Sequence, residues 1–330
     1  MKSISDLPTA GAPSVPSRGL IPTASCTPAR VRLYQPTQRP VELREAGWQT
    51  TAWGRCRVSG RLGQRHADLL EAVLHGAERV QRGADGGLFL LVDPARVRRT
   101  ISACGYSGAR MRILLCEIMA AVVEIETDTM RGMGHLIDEV AEAKTRRPNP
   151  LRSIGNARER GMMLVKIGAI GTMLIEHDLR LWYDPAPIAA LRSGVSQAVA
   201  RHVLTHAAAP RGGWRLDGLL EAVGIDGGSQ AVRDARRAIR HDADRLALLG
   251  ICIGDDDRVR RVVHRPGTAA QEAASVEHRP DGVEHRPDGV EHRPDGVEHR
   301  PDFRPLYQDY QPFKADQARP VTGRARAGAA

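Results

Sequence analysis

"SQAVRDARRAIRHDADRLALLG", residues 229–250, runs directly into "ICIGDDDRVRRVVHR", residues 251–265. In the first stretch Val232, Ala235, Ile239, Leu246 and Leu249 recur at helical spacing, which predicts one long amphipathic helix with Ser229 as its cap. The second stretch reads as two short apolar strands around an acidic turn, Asp255 to Asp257. Upstream, "VSQAVARHVLTHA" (195–207) predicts a helix, and "WRLDGLLEAVG" (214–224) a second, short one that ends at Gly224. Helix, short helix, long helix and hairpin is the element order of a winged helix.

The preceding half of the chain carries a related order. "LGQRHADLLEAVLHGAERVQRG" (62–83) has Leu69, Leu70, Val73, Leu74, Ala77 and Val80 at helical spacing and predicts a helix stopped by Gly83. "LFLLV" (88–92) is a short buried strand. Asp93 then caps "PARVRRTISACG", with Pro94 at the first helical position. "YSGARMRILLCEIMAAVV" (106–123) predicts a third, mostly buried helix with Ser107 as its cap. "VEIETDTM" (123–130) leaves it as a strand, and "AEAKTRRPNPLR" (141–152) is a polar, basic loop. "MMLVKIGAIGTMLIEHDLRLWYD" (162–184) reads as hairpin strands that turn near Gly168 and Gly171. The expected fold class is therefore α+β, with two tandem winged-helix domains and disordered N- and C-terminal tails. The expected boundaries are 1–52 for the first tail, 53–190 and 191–266 for the two domains, with a linker near Arg192 to Gly194, and 267–330 for the second tail.

Composition supports the tails. The N-terminal stretch is rich in Pro, Ser, Thr and Gly with no sustained period. The C-terminal one repeats "VEHRPDG" at 276, 283 and 290 and "VEHRPDF" at 297. A proline every seven residues and one apolar residue per unit rule out a coiled coil. The repeat histidines, His278, His285, His292 and His299, have no folded frame to hold a metal.

The formal net charge of +9 and the sequence pI of about 9.8 point to a polyanionic partner, most often nucleic acid. The 5 cysteines form no C-x-x-C pair, so neither a zinc ribbon nor a disulfide framework is indicated. Cys116 and Cys252 lie in apolar runs and are expected to be buried. No signal peptide or membrane span is expected, which makes the cytoplasm the default. No P-loop, H-E-x-x-H or triad-like signature is present, and His66, His177, His202 and His241 are isolated, as surface or capping residues would be. The chain therefore reads as a binding protein rather than an enzyme, with no cofactor and no metal.

Arg233, Arg236, Arg237 and Arg240 fall at offsets 0, 3, 4 and 7 of the long helix, opposite its apolar face. The third helix of such a domain enters the major groove, where an arginine fork matches guanine O6 and N7. Ser229 and Gln230 at its start can reach phosphate or adenine. Arg258, Arg260 and Arg261 form a basic wing, in which Arg258 and Arg260 share a face. A solvated face paired with Asp234, Asp242 and Asp244 is the competing reading. The position of the stripe on the third helix, followed by a basic wing, favours DNA. In the first domain Ser107, Arg110 and Arg112 occupy the equivalent place, and DNA contact and an idle surface are equally open there. The apolar 162–175 stretch serves as a core strand or, alternatively, as a dimer surface.

Taken together, "WGRCRVSGRLGQRHADLLEAVLHGAE", "VDPARVRRTI", "YSGARMRILLCEIMAAVVEIET" and the "GWRLDGLLEAVG … RRAIRHDADRLALLGI" block resemble plasmid replication initiators of the tandem winged-helix type, over about residues 53 to 265. The resemblance implies binding of double-stranded origin DNA at repeated sites (iterons), local duplex opening, and recruitment of host replication factors (initiator and helicase). It also implies a homodimer in equilibrium with monomer, the dimer repressing its own gene. Carried over by position, Ser229 to Arg240 would read the site, and the first domain would support contact or dimerisation. The long N-terminal stretch and the heptapeptide tail depart from the family pattern and leave any helicase-loading segment unplaced. The alternative is a winged-helix transcriptional regulator, for which one such domain per subunit usually suffices.

Overall fold

Asp242 breaks the long helix predicted over 229–250 into two. In the computed structural model, α9 (Ser229–His241) ends there and α10 (Ala243–Leu248) begins. Asp242 is fully buried, and its carboxylate accepts hydrogen bonds from the backbone N–H of Arg192 and Ser193, each at 3.1 Å. It thereby holds the chain entering α7 (Gly194–Leu204). The N-cap of α9 is Gly228, and Ser229, expected as the cap, is the first helical residue with no capping bond.

The structure describes residues 20–44, 47–83, 86–102, 106–142, 161–226 and 228–262. The heptapeptide repeats and their histidines lie outside the described residues. So do residues 1–19, Cys104 and most of the basic loop expected at 141–152.

Around α7 and α9 the second winged helix is minimal. α7 is followed by β11 (Trp214–Arg215), α8 (Leu216–Ala222), α9, α10 and the hairpin β12 (Ile251–Ile253) and β13 (Arg258–Arg261). The three strands lie in the order β11-β13-β12, with antiparallel pairs such as Trp214 to Val259 and Cys252 to Arg260. Val199, Val203, Leu216, Leu219, Leu220, Ile239, Leu246, Ile251 and Val259 form its core. Cys252 is the middle residue of β12 and alternates outward between Ile251 and Ile253, so it is exposed, contrary to expectation.

The first winged helix repeats this plan and adds to it. α2 (Gln64–His75) is followed by β4 (Ala77–Arg82), β5 (Leu88–Val92), α3 (Pro94–Ile101) and α4 (Gly108–Ala120). Then come β6 (Val122–Glu126), β7 (Arg131–Gly134), β8 (Ile137–Glu142) and β9 (Met163–Ile167). One sheet has the order β4-β5-β9-β8. Its last three strands match β11-β13-β12 position for position, with the strand that leads into the second helix (β5 or β11) beside the last strand. The hairpin β6-β7 is an insertion that joins β2 (Gln49–Thr51) and β3 (Gly54–Ser59) in a sheet of order β2-β3-β6-β7.

Three expectations fail in this half. The helix predicted over 62–83 stops at His75, and residues 77–82 pair with β5, where Ala77 meets Val92 and Val80 meets Leu90. Ala77 and Val80 matched the helical period by coincidence. The stretch 162–184 is not a hairpin: β9 pairs with β8 and β5, and α5 (Ala169–His177) follows it. Gly168 and Gly171 serve close packing rather than a turn. A Cβ on Gly168 would lie 2.3 Å from the His135 carbonyl oxygen, and one on Gly171 2.5 Å from that of Leu136. Cys116, expected to be buried, is exposed because the buried residues of α4 are Met111, Leu114, Leu115 and Ile118. The caps behave as read: Asp93 accepts from Ala95 N at 2.8 Å, and Ser107 from Arg110 N at 3.1 Å.

Residues 20–44 and 47–52, assigned to a disordered tail, are instead built into the fold. β1 (Ala24–Ser25) pairs with β10 (Arg180–Leu181), and α1 (Thr27–Arg30) leads to Val31, Leu33 and Tyr34 in the first core. The strap has no period because it packs residue by residue rather than along one face. Its backbone is satisfied at a distance, by Gln35 N to Leu62 O (3.0 Å) and Gln64 N to Thr37 O (2.9 Å) among others.

The strap and α6 (Ala186–Ala189) meet a buried polar seam between α2 and α7. Arg201, 5% exposed, donates to Asp68 at 2.7 Å, to both oxygens of Glu71 at 2.7 and 2.8 Å, and to Gln64 Oε1 at 2.8 Å. Gln197 adds a bond to the other Asp68 oxygen at 3.0 Å. Burial works against the Arg201 charge, but Glu71 and Asp68 outweigh it and hold its pKa well above the usual value. Bidentate and fully paired, this cluster locks the first helix of one winged helix to the first helix of the other.

Candidate nucleic-acid interface

α9 buries only Ala235 and Ile239, so most of its circumference faces out. The four arginines of the stripe divide into two pairs by what they touch. Arg233 is exposed and donates to Gln230 Oε1 at 3.0 Å, while Gln230 donates to both oxygens of Asp234 at 3.0 Å. Arg237 is 80% exposed at its side chain and lies 3.7 Å from Asp234. Both pairings stay within one helix turn and hold nothing else in place. Of the four, Arg233 and Arg237 are the ones not engaged by another element.

Arg236 and Arg240 are engaged across the domain. Arg236, 33% exposed, grips Asp217 on α8 at 2.9 and 2.5 Å and lies 3.9 Å from Asp257. Arg240 donates to Asp257 at 2.6 Å. The Asp217 carboxyl is held below the usual carboxylate range by its hydrogen bond from Arg236. These acids were not singled out by sequence reading, although the acidic turn that contains Asp257 was visible.

The wing is mixed. Arg258 and Arg260 flank the buried Val259 and share the outer face, as the strand period requires. Arg260 pairs with Asp256 at 2.6 Å, and Arg258 donates to Gly213 O at 3.4 Å. Arg261 turns the other way and donates to the His206 carbonyl, so it does not join the arginine face. Burial lowers its pKa.

In the first domain Ser107 caps α4 and is exposed, and Arg110 beside it is exposed as well. Arg112 pairs with Glu142 on β8 at 2.8 Å. The rest of the outer face of α4 is apolar, with Ile113 at 49% exposure and Cys116. Of the isolated histidines, His66 is a buried cap whose Nδ1 accepts from Gly63 N at 3.0 Å and whose Nε2 lies 2.9 Å from Glu117. His202, expected as a surface or capping residue, is buried near the end of α7, with burial and His206 pushing its pKa down to about 4. No three His, Cys, Asp or Glu side chains gather as a metal site among the described residues, and no described helix is long and apolar enough to cross a membrane.

No family model matches the chain, and no curated protein matches it. Among solved structures it is similar to domains 2 and 3 of RctB, seen in a crystal structure of selenomethionine derivatives. The likeness has 11% identity and a TM-score of 0.43 and covers 66% of this chain and 85% of that one. At this level it fixes neither fold nor function.

Proposed function

We propose that the chain is a plasmid replication initiator that binds repeated sites in double-stranded origin DNA, promotes opening of the duplex and recruits host replication factors. The observation that carries the reading is the pairing of two winged helices of one topology, braced by the Arg201 seam, with an arginine helix presented by the second. A pair held in fixed relation suits a site that spans more than one groove segment, since the second contact then costs little additional ordering. The basic charge of the whole chain and the resemblance of its 53–265 region to tandem winged-helix initiators support the same reading. In it α9 is the recognition helix, with Ser229, Gln230, Arg233 and Arg237 toward the groove. Arg240, Arg258 and Arg260 lie toward the phosphates. No catalytic residue, cofactor or metal is invoked, and the protein acts in the cytoplasm as a homodimer in equilibrium with monomer, the dimer repressing its own gene.

The test is whether the gene with its flanking DNA sustains a plasmid that otherwise lacks an origin. Maintenance that depends on direct repeats beside the gene supports initiation. Failure of maintenance, with binding to a single inverted repeat, replaces this reading with that of a transcriptional regulator.

A further inference from the structure

The wing turn contains one of the two non-glycine residues with a left-handed backbone among the described residues. Asp257 has φ 53. A left-handed residue other than glycine carries a conformational cost, which persists where the surroundings hold it in place. Three contacts hold Asp257. Its N–H donates to Gly254 O at 3.1 Å, closing the turn, and its carbonyl accepts from Leu216 N at 2.9 Å, at the start of α8. Its carboxylate reaches back to α9, 2.6 Å from Arg240 and 3.9 Å from Arg236. One residue thus ties the wing to both helices of the helix-turn-helix. Asp217 completes the arrangement from α8 by taking the Arg236 fork.

The consequence concerns how the arginines meet DNA. Arg236 and Arg240 sit on the exposed helix that the proposed function assigns to the groove, yet each is already paired with a carboxylate. Exposed ion pairs of this kind contribute about 0–1 kcal/mol, so a polyanion can displace them. Every duplex must either displace the acids or accept two negative charges near its backbone. A matched site offers base contacts that offset this, and a random site does not.

We infer, building on the DNA-binding reading above, that Asp217 and Asp257 form a carboxylate clasp that determines how strongly the second winged helix discriminates its own site from random DNA. Neither acid contacts a base. They act by competing with phosphates for Arg236 and Arg240 and by holding the wing at a fixed height over α9.

The test uses the full chain and its Asp217→Asn, Asp257→Asn and doubly substituted variants, titrated against a random-sequence duplex at several salt concentrations. Asn keeps the shape and tolerates a left-handed backbone, so the turn can persist. Each single variant is expected to bind the random duplex several-fold more tightly, and the double variant more tightly still. The slope of log affinity against log salt is expected to steepen by roughly one counterion per acid removed. A purely structural role would lower the melting temperature and weaken binding without steepening the slope. Variants that bind the random duplex no more tightly than the unsubstituted chain overturn the clasp alone. An unsubstituted chain that binds no duplex at any salt overturns the DNA-binding reading, and the clasp with it.

Discussion

The two winged helices share a strand order and differ in what their third helices present. α9 turns Arg233, Arg237 and Arg240 outward and buries two side chains, whereas α4 buries four and turns out Ile113 and Cys116 beside Arg110 and Arg112. The first domain also carries an inserted hairpin and takes Val31 and Leu33 of the N-terminal strap into its core, and the second has no such insertion. One topology therefore carries a largely buried third helix in the first case and an exposed, arginine-lined one in the second. The difference lies in the residues at outward helical positions, which packing leaves unconstrained.

The comparison breaks most readily at the strap, which serves both halves. Val31 and Leu33 fill the first core, while Arg30 donates to Thr205 O at 2.8 Å and Arg32 to Ala222 O at 3.0 Å in the second. A fragment that begins at residue 53 is expected to be unfolded or aggregated, because Val31 and Leu33 alone contribute about 1.5–3 kcal/mol each. A fragment of residues 20–262 should give one cooperative melt by circular dichroism. A well-folded 53–262 fragment would show the strap to be dispensable.

Next in size is the seam. Arg201→Ala leaves Asp68 and Glu71 buried without their guanidinium, at a cost of about 3–5 kcal/mol. Urea unfolding followed by tryptophan fluorescence should show the two halves separating into distinct transitions. A single transition at the original midpoint would mean that the seam does not couple them.

The seam region also predicts a pH dependence. His202 is neutral in the fold, with its pKa lowered from 6.5 to about 4 by burial and by His206, and its Nδ1 has no hydrogen-bond partner among the described residues. The unfolded chain takes up the proton first, so the stability it protects is intact above the unfolded value and is lost as pH falls from 6.5 toward 4. The loss should reach about 3 kcal/mol at most, and His202→Gln should flatten that part of the profile in denaturant titrations at stepped pH. An unchanged profile would assign the loss to the other histidines whose pKa burial lowers, His66, His75 and His206.

The smallest effects should separate the two third helices. Arg233→Ala is expected to weaken binding to the specific site by about 1–3 kcal/mol, and Arg112→Ala by less than about 0.5 kcal/mol. Fluorescence anisotropy with both variants on one origin duplex measures the contrast directly. Equal losses would place α4 on the DNA beside α9.

Much of this architecture was legible in the sequence where a single element carries its own pattern. The amphipathic face of α9, the caps at Asp93 and Ser107 and the acidic turn of the second hairpin depend on local spacing and local hydrogen bonding. The arginine stripe was legible for the same reason. Its division into free and engaged pairs was not, because Asp217 and Asp257 reach Arg236 and Arg240 only after α8, α9 and the wing have packed.

The sequence by itself determined the amphipathic period of α9, the caps at Asp93 and Ser107, the α+β class, the duplication and the basic face. Tertiary structure alone decided that residues 77–82 pair as a strand, that residues 169–177 coil as a helix against Leu136, and that a proline-rich stretch without periodicity belongs to the core. It also decided that α9 ends at Asp242, whose carboxylate holds the entry to α7. The physical reason is range. Periodicity and capping are settled within a turn or two of chain, whereas strand pairing, close glycine contacts and buried charges depend on partners that are remote in sequence, and local propensity carries no information about those partners.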